Sequence, residues 1–250
     1  MTLLLLKATL SPLLIAAVTI AARRWGPRVG GFLLGLPIVA GPTLGFYAVE
    51  QGSDFAAVAV RATLLGLVAV GVFCVVYAHI ARRAPWPVCL ALGWSAFGIV
   101  TAASLGVSLP LIASFAAAVA ALFAARSLLP ASTDATPEAR PPRWDLVMRM
   151  VSAALLVTIL TAAADSLGPL WSGVLTPFPV AVSIMVAFTH ARNGAGAAAR
   201  FLYAFLPGLA TFAVFCLVLA LTLNRWPVAV AFAMALGVQM CTQGAYLARS

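Results

Sequence analysis

The chain has 250 residues, of which 64% are hydrophobic and 8% charged, and its mean hydropathy is +1.09. A soluble domain is about a quarter charged, so this chain cannot cover a water-facing surface and is expected to be an integral membrane protein. The net charge of +9 is then read as the mark of a cytoplasmic membrane face, and no nucleic-acid partner is inferred.

A helix that crosses the hydrocarbon layer needs about 20 mostly apolar residues, and nine segments meet that requirement: 3–22, 29–49, 56–80, 86–106, 108–129, 146–165, 169–190, 201–223 and 226–247. The first is expected to be retained rather than cleaved as a signal, because Lys7 interrupts its apolar run instead of preceding it. The second, FLLGLPIVAGPTLGFY at 32–47, carries two prolines near its middle, and so does GVLTPFPVAVSIMVAF in the seventh. The fourth and fifth are parted by a tight turn around Ser108-Leu109-Pro110, and on sequence grounds alone they can also be joined as one long helix. The stretch PASTDATPEARPPRW at 130–144 has no apolar face to bury and reads as a solvent-exposed connection. Cys74, Cys89, Cys216 and Cys241 all lie in apolar stretches without CxxC spacing, which fits packing residues and neither a disulfide framework nor a zinc site.

Nine spans with the N-terminus outside place Arg23, Arg24, Arg28, Arg82, Arg83, Arg126, Arg140, Arg143, Arg149, Arg192, Arg200 and Arg249 on the inner side. Only Lys7, Arg61 and Arg225 stay outside, the bias the positive-inside rule requires. Merging the fourth and fifth spans would put the later arginines on the wrong side. Trp86, Trp144, Trp171 and Trp226 fall at span ends, as an aromatic belt does.

A shift of 142 positions aligns the two halves without a gap for over fifty residues. Gly26-Pro27 meets Gly168-Pro169, Pro37 meets Pro179, Gly52 meets Gly194, Gly66 meets Gly208, and Phe73-Cys74 meets Phe215-Cys216. The copies start an odd number of spans apart, and equivalent loops exchange charge sign, so the second copy is expected to enter the membrane inverted. The expected fold is all-α: two inverted-topology four-helix repeats, 1–106 and 145–250, joined by a linking helix and cytoplasmic loop at 107–144.

The stretch SGVLTPFPVAVSIMVAFTHARNGAGAAARF resembles the second and third helices of the GlpM family of small bacterial inner-membrane proteins. Arg61-Ala62-Thr63 resembles an Arg-Ala-Thr tripeptide of the same family, whose members are single short units. The resemblance implies two fused GlpM-like copies in a bacterial inner membrane and a link to alginate production, but no particular chemistry. The chain departs from the family by the fusion itself and by Tyr203 standing where the first copy has Arg61.

Paired helices interrupted by Gly and Pro at corresponding places are the sequence pointer to a transporter's site. The expected substrate residues are Gly35, Pro37, Gly41, Pro42 and Thr43 facing Thr176, Pro177, Pro179 and Ser183. Arg61 joins them as an intramembrane cation, and Gln239 and Gln243 as an i, i+4 polar pair on one helix face. Arg149 reads as an interfacial anchor, and His79 and His190 as interfacial histidines. No mid-membrane acid, GxxxxGK[ST] loop, HExxH or nucleophile elbow occurs, so proton-driven cation export, ATP binding and intramembrane catalysis are not expected. No cofactor or metal is expected. The sequence thus points to a small transporter or channel for an anionic or neutral polar solute, with membrane lipids as partners and self-association left open. The alternative is a lipid-associated accessory protein of envelope polysaccharide assembly.

Overall fold

The computed structural model describes residues 13, 16–21, 24–25, 33–37, 40–104, 106–107, 109–130, 144–167 and 178–248, and for 42, 43, 46, 157 and 160–167 the backbone alone. Among the described residues every regular element is a helix: α1 Ala40–Glu50, α2 Ser53–Ile80, α3 Trp86–Ser104, α4 Leu111–Leu128, α5 Asp145–Leu167, α6 Val180–Thr222 and α7 Val228–Leu247. Of these, α2, α3, α4, α6 and α7 are long and apolar enough to cross a membrane. The chain is a helical, membrane-embedded protein.

The expected fourth and fifth spans are separate helices. The Val107 amide bonds back to the Ser104 carbonyl at 3.0 Å, and Pro110, extended at φ −56° and ψ 151°, opens α4. Proline suits a helix start because the amide it lacks would have no helical partner there. The expected seventh and eighth spans are separate helices as well: the range labelled α6 holds a short arm, 180–193, and a long arm, 195–222, which meet at the non-helical Gly194 (φ 80°, ψ 178°) with no longer loop between them. The intervening ARNGAGAAAR is alanine-rich and holds nothing else that stops a helix. Gly194 is where one helix ends and the next begins, and its positive φ is what turns the chain between the two arms. The expected span 3–22 and the opening parts of 29–49 and 169–190 lie largely outside the described residues.

The prolines at 37 and 179 do not sit in the middle of described helices. Each stands just ahead of one: Pro37 closes the turn 34–37 before α1, and Pro179 caps α6. The Gly41 amide bonds to the Pro37 carbonyl at 2.8 Å, and the Ser183 amide bonds to the Pro179 carbonyl at 3.0 Å. A proline there costs no ladder bond.

Local geometry recurs at the 142-residue offset. Gly52 (φ 90°) and Gly194 (φ 80°) are the positive-φ residues among those described, and each separates a short helix from a long one. α2 ends at Ile80 and α6 at Thr222, and the next residues, Ala81 and Leu223, each donate to a carbonyl four residues back, Tyr77 and Leu219, at 2.9 Å. The turn that follows repeats as well: Ala84 bonds to Ile80 and Trp226 to Thr222, both at 3.0 Å, and Pro85 and Pro227 then lead into α3 and α7.

α2 and α6 form the centre of the bundle, and Phe73, Cys74, Tyr77, Phe215, Cys216 and Leu219 are fully buried there. The long arm of α6 runs antiparallel to α2. Asn224, just beyond α6, donates to Asp54 at the start of α2 (3.1 Å), while Tyr77 near the end of α2 meets His190 just before the Gly194 break (3.3 Å). α3 packs on α2, α7 packs on α6, and α4 packs on both central helices. Ring-to-glycine contact brings α3 close to α2: a Cβ on Gly93 would lie 2.8 Å from the Phe73 ring. The outer helices turn Leu92, Ile99, Ile112, Phe123, Met234 and Leu236 outward, a surface suited to lipid.

Both positive-φ glycines have open space around a built Cβ, so a side chain there costs only backbone strain. Gly52→Ala and Gly194→Ala should each destabilise the detergent-solubilised protein by about 1–2 kcal/mol in thermal unfolding. Gly98→Ala and Gly237→Ala, equally open but helical, should leave the melting temperature unchanged or raise it.

Candidate functional site at the helix crossings

α7 crosses the turn that precedes α1. Gln239, midway along α7 and 0% exposed, donates from Nε2 to the Gly35 carbonyl at 3.1 Å. Residues 34–37 are non-helical, and among the described residues the Gly35 carbonyl takes its donor from the glutamine amide, a donor that lipid cannot supply. The same turn lies directly on α6: a Cβ built on Gly35 would coincide with the backbone of Gly208. Only glycine permits that approach. Gly208 follows Pro207, which is buried inside α6 and removes one rung of its ladder. The Thr211 hydroxyl bonds the Gly208 carbonyl at 2.7 Å.

α3 makes the corresponding crossing over the start of α6. Trp94, midway along α3, donates its indole N–H to Ser183 Oγ at 3.0 Å. Phe97 meets Phe178 edge to face at 5.4 Å, and Trp94 lies 5.5 Å from the same ring. Position 97 corresponds to 239 at the 142-residue offset, and 178 to 36, so the two crossings use equivalent places with different chemistry: aromatic at one, amide at the other.

The structure therefore brings Gly35 to Gln239, Pro37 to Gly41 (3.2 Å from a Cβ built at 41 to Pro37 Cβ), and Ser183 to Pro179 and Trp94. Gln243 is buried one turn beyond Gln239. Position 42 lies in the first turn of α1 with position 43 beside it, described by backbone alone, and Thr176 and Pro177 lie outside the described residues. Arg61 is exposed on α2 and makes no hydrogen bond or ion pair with the described residues, so it is not brought to either crossing.

Polar capacity is left over at these crossings. Gln239 Oε1 is buried and has no hydrogen-bond partner among the described residues. Ser183 Oγ accepts from Trp94 and keeps its own proton to donate. None of the crossing residues carries a formal charge.

A second polar group lies at the end of the bundle where α5 begins. Asp145, 0% exposed, accepts Arg149 Nε on one oxygen (3.0 Å) and Arg192 Nη1 on the other (2.9 Å). The Arg149 guanidinium also lies 4.9 Å from the Phe188 ring centroid and donates to Met185 Sδ at 3.2 Å. Arg149 is thus a buried structural cation and not the interfacial anchor expected from sequence, because Asp145 one helical turn before it offers a carboxylate on the same face. This group ties α5 to the short arm of α6. His190 bonds Tyr77, and His79 stays exposed with a ring nitrogen 2.9 Å from the Val75 carbonyl. Among the described residues no three His, Cys, Asp or Glu come together as a metal set.

No family model matches the chain, and neither a curated protein nor a solved structure matches it.

Trp94 and Pro207 were not among the expected site residues, and Gly208 was marked only as the counterpart of Gly66. Trp94 had a signal: it sits mid-span while the other tryptophans considered sit at span ends, and a buried indole N–H needs an acceptor. Pro207 was a proline inside an apolar span, as notable as Pro37.

Gln239→Leu leaves the buried Gly35 carbonyl without its donor and should destabilise by about 1–3 kcal/mol, read by unfolding in detergent. Asp145→Ala removes the carboxylate shared by buried Arg149 and half-buried Arg192 and should cost about 3–5 kcal/mol, with Asp145→Asn intermediate.

Proposed function

We propose that the chain is a small membrane transporter or channel built from two inverted GlpM-like four-helix repeats, carrying a neutral polar solute past the two mid-helix crossings. The observation that carries this reading is reciprocity. The last helix of each half reaches across to the proline-headed turn of the other half, through Gln239 on Gly35 and through Trp94 and Phe97 on Ser183 and Phe178. Contacts exchanged between equivalent positions are what a two-fold relation produces. The antiparallel run of α2 and α6 turns that axis perpendicular to the helices, which in a bilayer is the inverted arrangement.

Depth supports a site at the same place. Gln239 and Trp94 lie near the middles of their helices, so both crossings fall near the membrane midplane. There, irregular backbone and leftover polar capacity are tolerated where they face protein or a solute path. Gln239 Oε1 and the Ser183 hydroxyl offer one acceptor and one donor without charge. That chemistry fits a hydroxyl- or amide-bearing neutral solute better than the anion that Arg61 had recommended.

Charge distribution supports the orientation. Arg126, Arg149, Arg192 and Arg200 gather at the bundle end where α4 finishes and α5 begins, while Asp54 and Arg225 stand at the other end. The arginine-rich end would be cytoplasmic, with the N-terminus outside and the C-terminus inside a bacterial inner membrane.

Purified protein in proteoliposomes should carry at least one solute from a panel of sugars, polyols, neutral amino acids and small anions. Gln239→Leu should lower that flux at least tenfold in protein that remains monodisperse, and Arg61→Ala should leave it intact. Absence of flux for the whole panel would favour the accessory-protein alternative. A C-terminal fluorescent fusion should report the cytoplasm, and an N-terminal epitope should be reachable from outside in spheroplasts. Both termini on one side would refute the inversion.

A further inference from the structure

A cavity of about 240 Å³ opens between α4, α6 and α7, beside the Gln239 crossing, with Pro207 in its wall. Its walls are apolar, with Phe115, Leu122, Phe123, Leu206, Ala210 and Val214 among them. The two wall threonines add little polarity. Thr211 donates to the Gly208 carbonyl (2.7 Å) and Thr242 to the Gln239 carbonyl (2.8 Å), so both hydroxyl protons turn back onto their own helices. Arg126 is the charged residue of the lining. It donates to the Tyr246 hydroxyl at 2.8 Å, and its guanidinium lies 4.0 Å from the Tyr203 ring centroid. No carboxylate pairs with it among the described residues.

Polarity along this cavity follows depth in the bundle. Arg126 and Tyr246 lie in the last turns of α4 and α7, at headgroup level in a bilayer. Phe115 lies eleven residues earlier on α4, about 16 Å deeper at 1.5 Å per residue. Phe123, 62% exposed, and Tyr203, 47% exposed, form a rim on the outer surface, so the cavity opens sideways toward lipid. Its volume is below the roughly 300–1,000 Å³ of pockets that enclose a small ligand. An occupant would be partly held and partly in the bilayer.

We infer that this cavity is a binding site for an anionic phospholipid, its phosphate on Arg126 and the Tyr246 hydroxyl and one acyl chain laid along the α4–α6–α7 groove. A guanidinium with donors to spare matches a phosphodiester in charge and geometry. Basic pockets between membrane helices at the arginine-rich side are where such headgroups are taken. A soluble anion would use the arginine but leave the apolar groove without a role. A neutral lipid would use the groove but not the charge. The site does not depend on the transport reading, because none of its lining residues is a proposed solute ligand.

The test is thermal unfolding of the full chain in mild detergent, titrated with phosphatidylglycerol, phosphatidylcholine or inorganic phosphate. Phosphatidylglycerol should raise the melting temperature of the wild type by several degrees more than phosphatidylcholine does, and inorganic phosphate should have no effect. Arg126→Gln should abolish the preference for the anionic lipid, Arg126→Lys should retain part of it, and Ala210→Phe, which fills the groove, should remove the response to both lipids. Independently of variants, phosphatidylglycerol with a diazirine in its acyl chain should label α4 around Phe115–Phe123, in excess over the phosphatidylcholine analogue. Equal stabilisation by the two lipids, a preference that survives Arg126→Gln, stabilisation by inorganic phosphate alone, or labelling spread evenly over the outer helices would each overturn the assignment.

Discussion

Backbone hydrogen bonding governs this molecule, because a chain so poor in charge has no water to fall back on inside the bilayer. Wherever the helical ladder stops, something in the protein must supply the missing partner. At the turn before α1 that partner is Gln239, whose amide reaches the Gly35 carbonyl. This places a polar side chain in the middle of α7 and requires glycine at 35 so that the turn can lie on the α6 backbone at Gly208. Pro207 beside Gly208 fits the same place. It cannot donate, and the helix there already yields its regular surface to the incoming turn. One carbonyl and the close approach around it thus account for the identities of Gln239 and Gly35.

Breaks and caps follow the same logic at the ends of helices. Gly52 and Gly194 take positive φ where a short helix hands over to a long one, and Pro37, Pro110, Pro179 and Pro227 stand ahead of helices where a missing amide is harmless. Side chains finish the accounting for hydroxyls: Thr63, Thr101, Thr189 and Thr222 return theirs to carbonyls of their own helices. Among the described residues, buried side-chain oxygens without a partner are found at Gln239 on the crossing helix and also at Asn193 beside the Gly194 break. The orphaned amide oxygen of Gln239, together with the Ser183 hydroxyl, is the physical ground for seeking a solute at the crossings.

Much of this was legible in the sequence, and the parts that were not have identifiable causes. Apolar length and turn chemistry located α2, α3, α4 and α7 to within a few residues, because each is bounded by glycine, proline or a charged pair that a lipid-buried helix cannot carry through. The separation of α3 from α4 followed from Pro110 and from the arginine bias. Gly52 and Gly194 were seen as equivalent, but not that a helix would run up to Gly194 on both sides. The alanines flanking it, which favour helix strongly, decide that. Arg149 was misread because an arginine near a span end usually reaches for water. The i, i+4 spacing from Asp145 was there to read, but the Met185, Phe188 and Arg192 side chains that complete the group come from another helix, which spacing along one segment does not reveal. The crossings themselves were partly visible: Gly35, Gln239 and Ser183 were picked out, but their partners Gly208 and Trp94 are distant in sequence.

If the two halves descend from one unit, their differences show where selection has treated them apart. The central residues kept their identity: Phe73 and Cys74 match Phe215 and Cys216, all fully buried where α2 and α6 pack antiparallel. Elsewhere the copies diverge. Phe97 became an aromatic lock on Phe178 while Gln239 became a hydrogen-bonding amide, and Arg61 stands exposed while its counterpart Tyr203 forms a face for Arg126. α4 touches both central helices but presents its arginine to only one. A headgroup site built on an arginine at one end of a single helix lies at one membrane face, so it would favour one orientation of the chain in the bilayer.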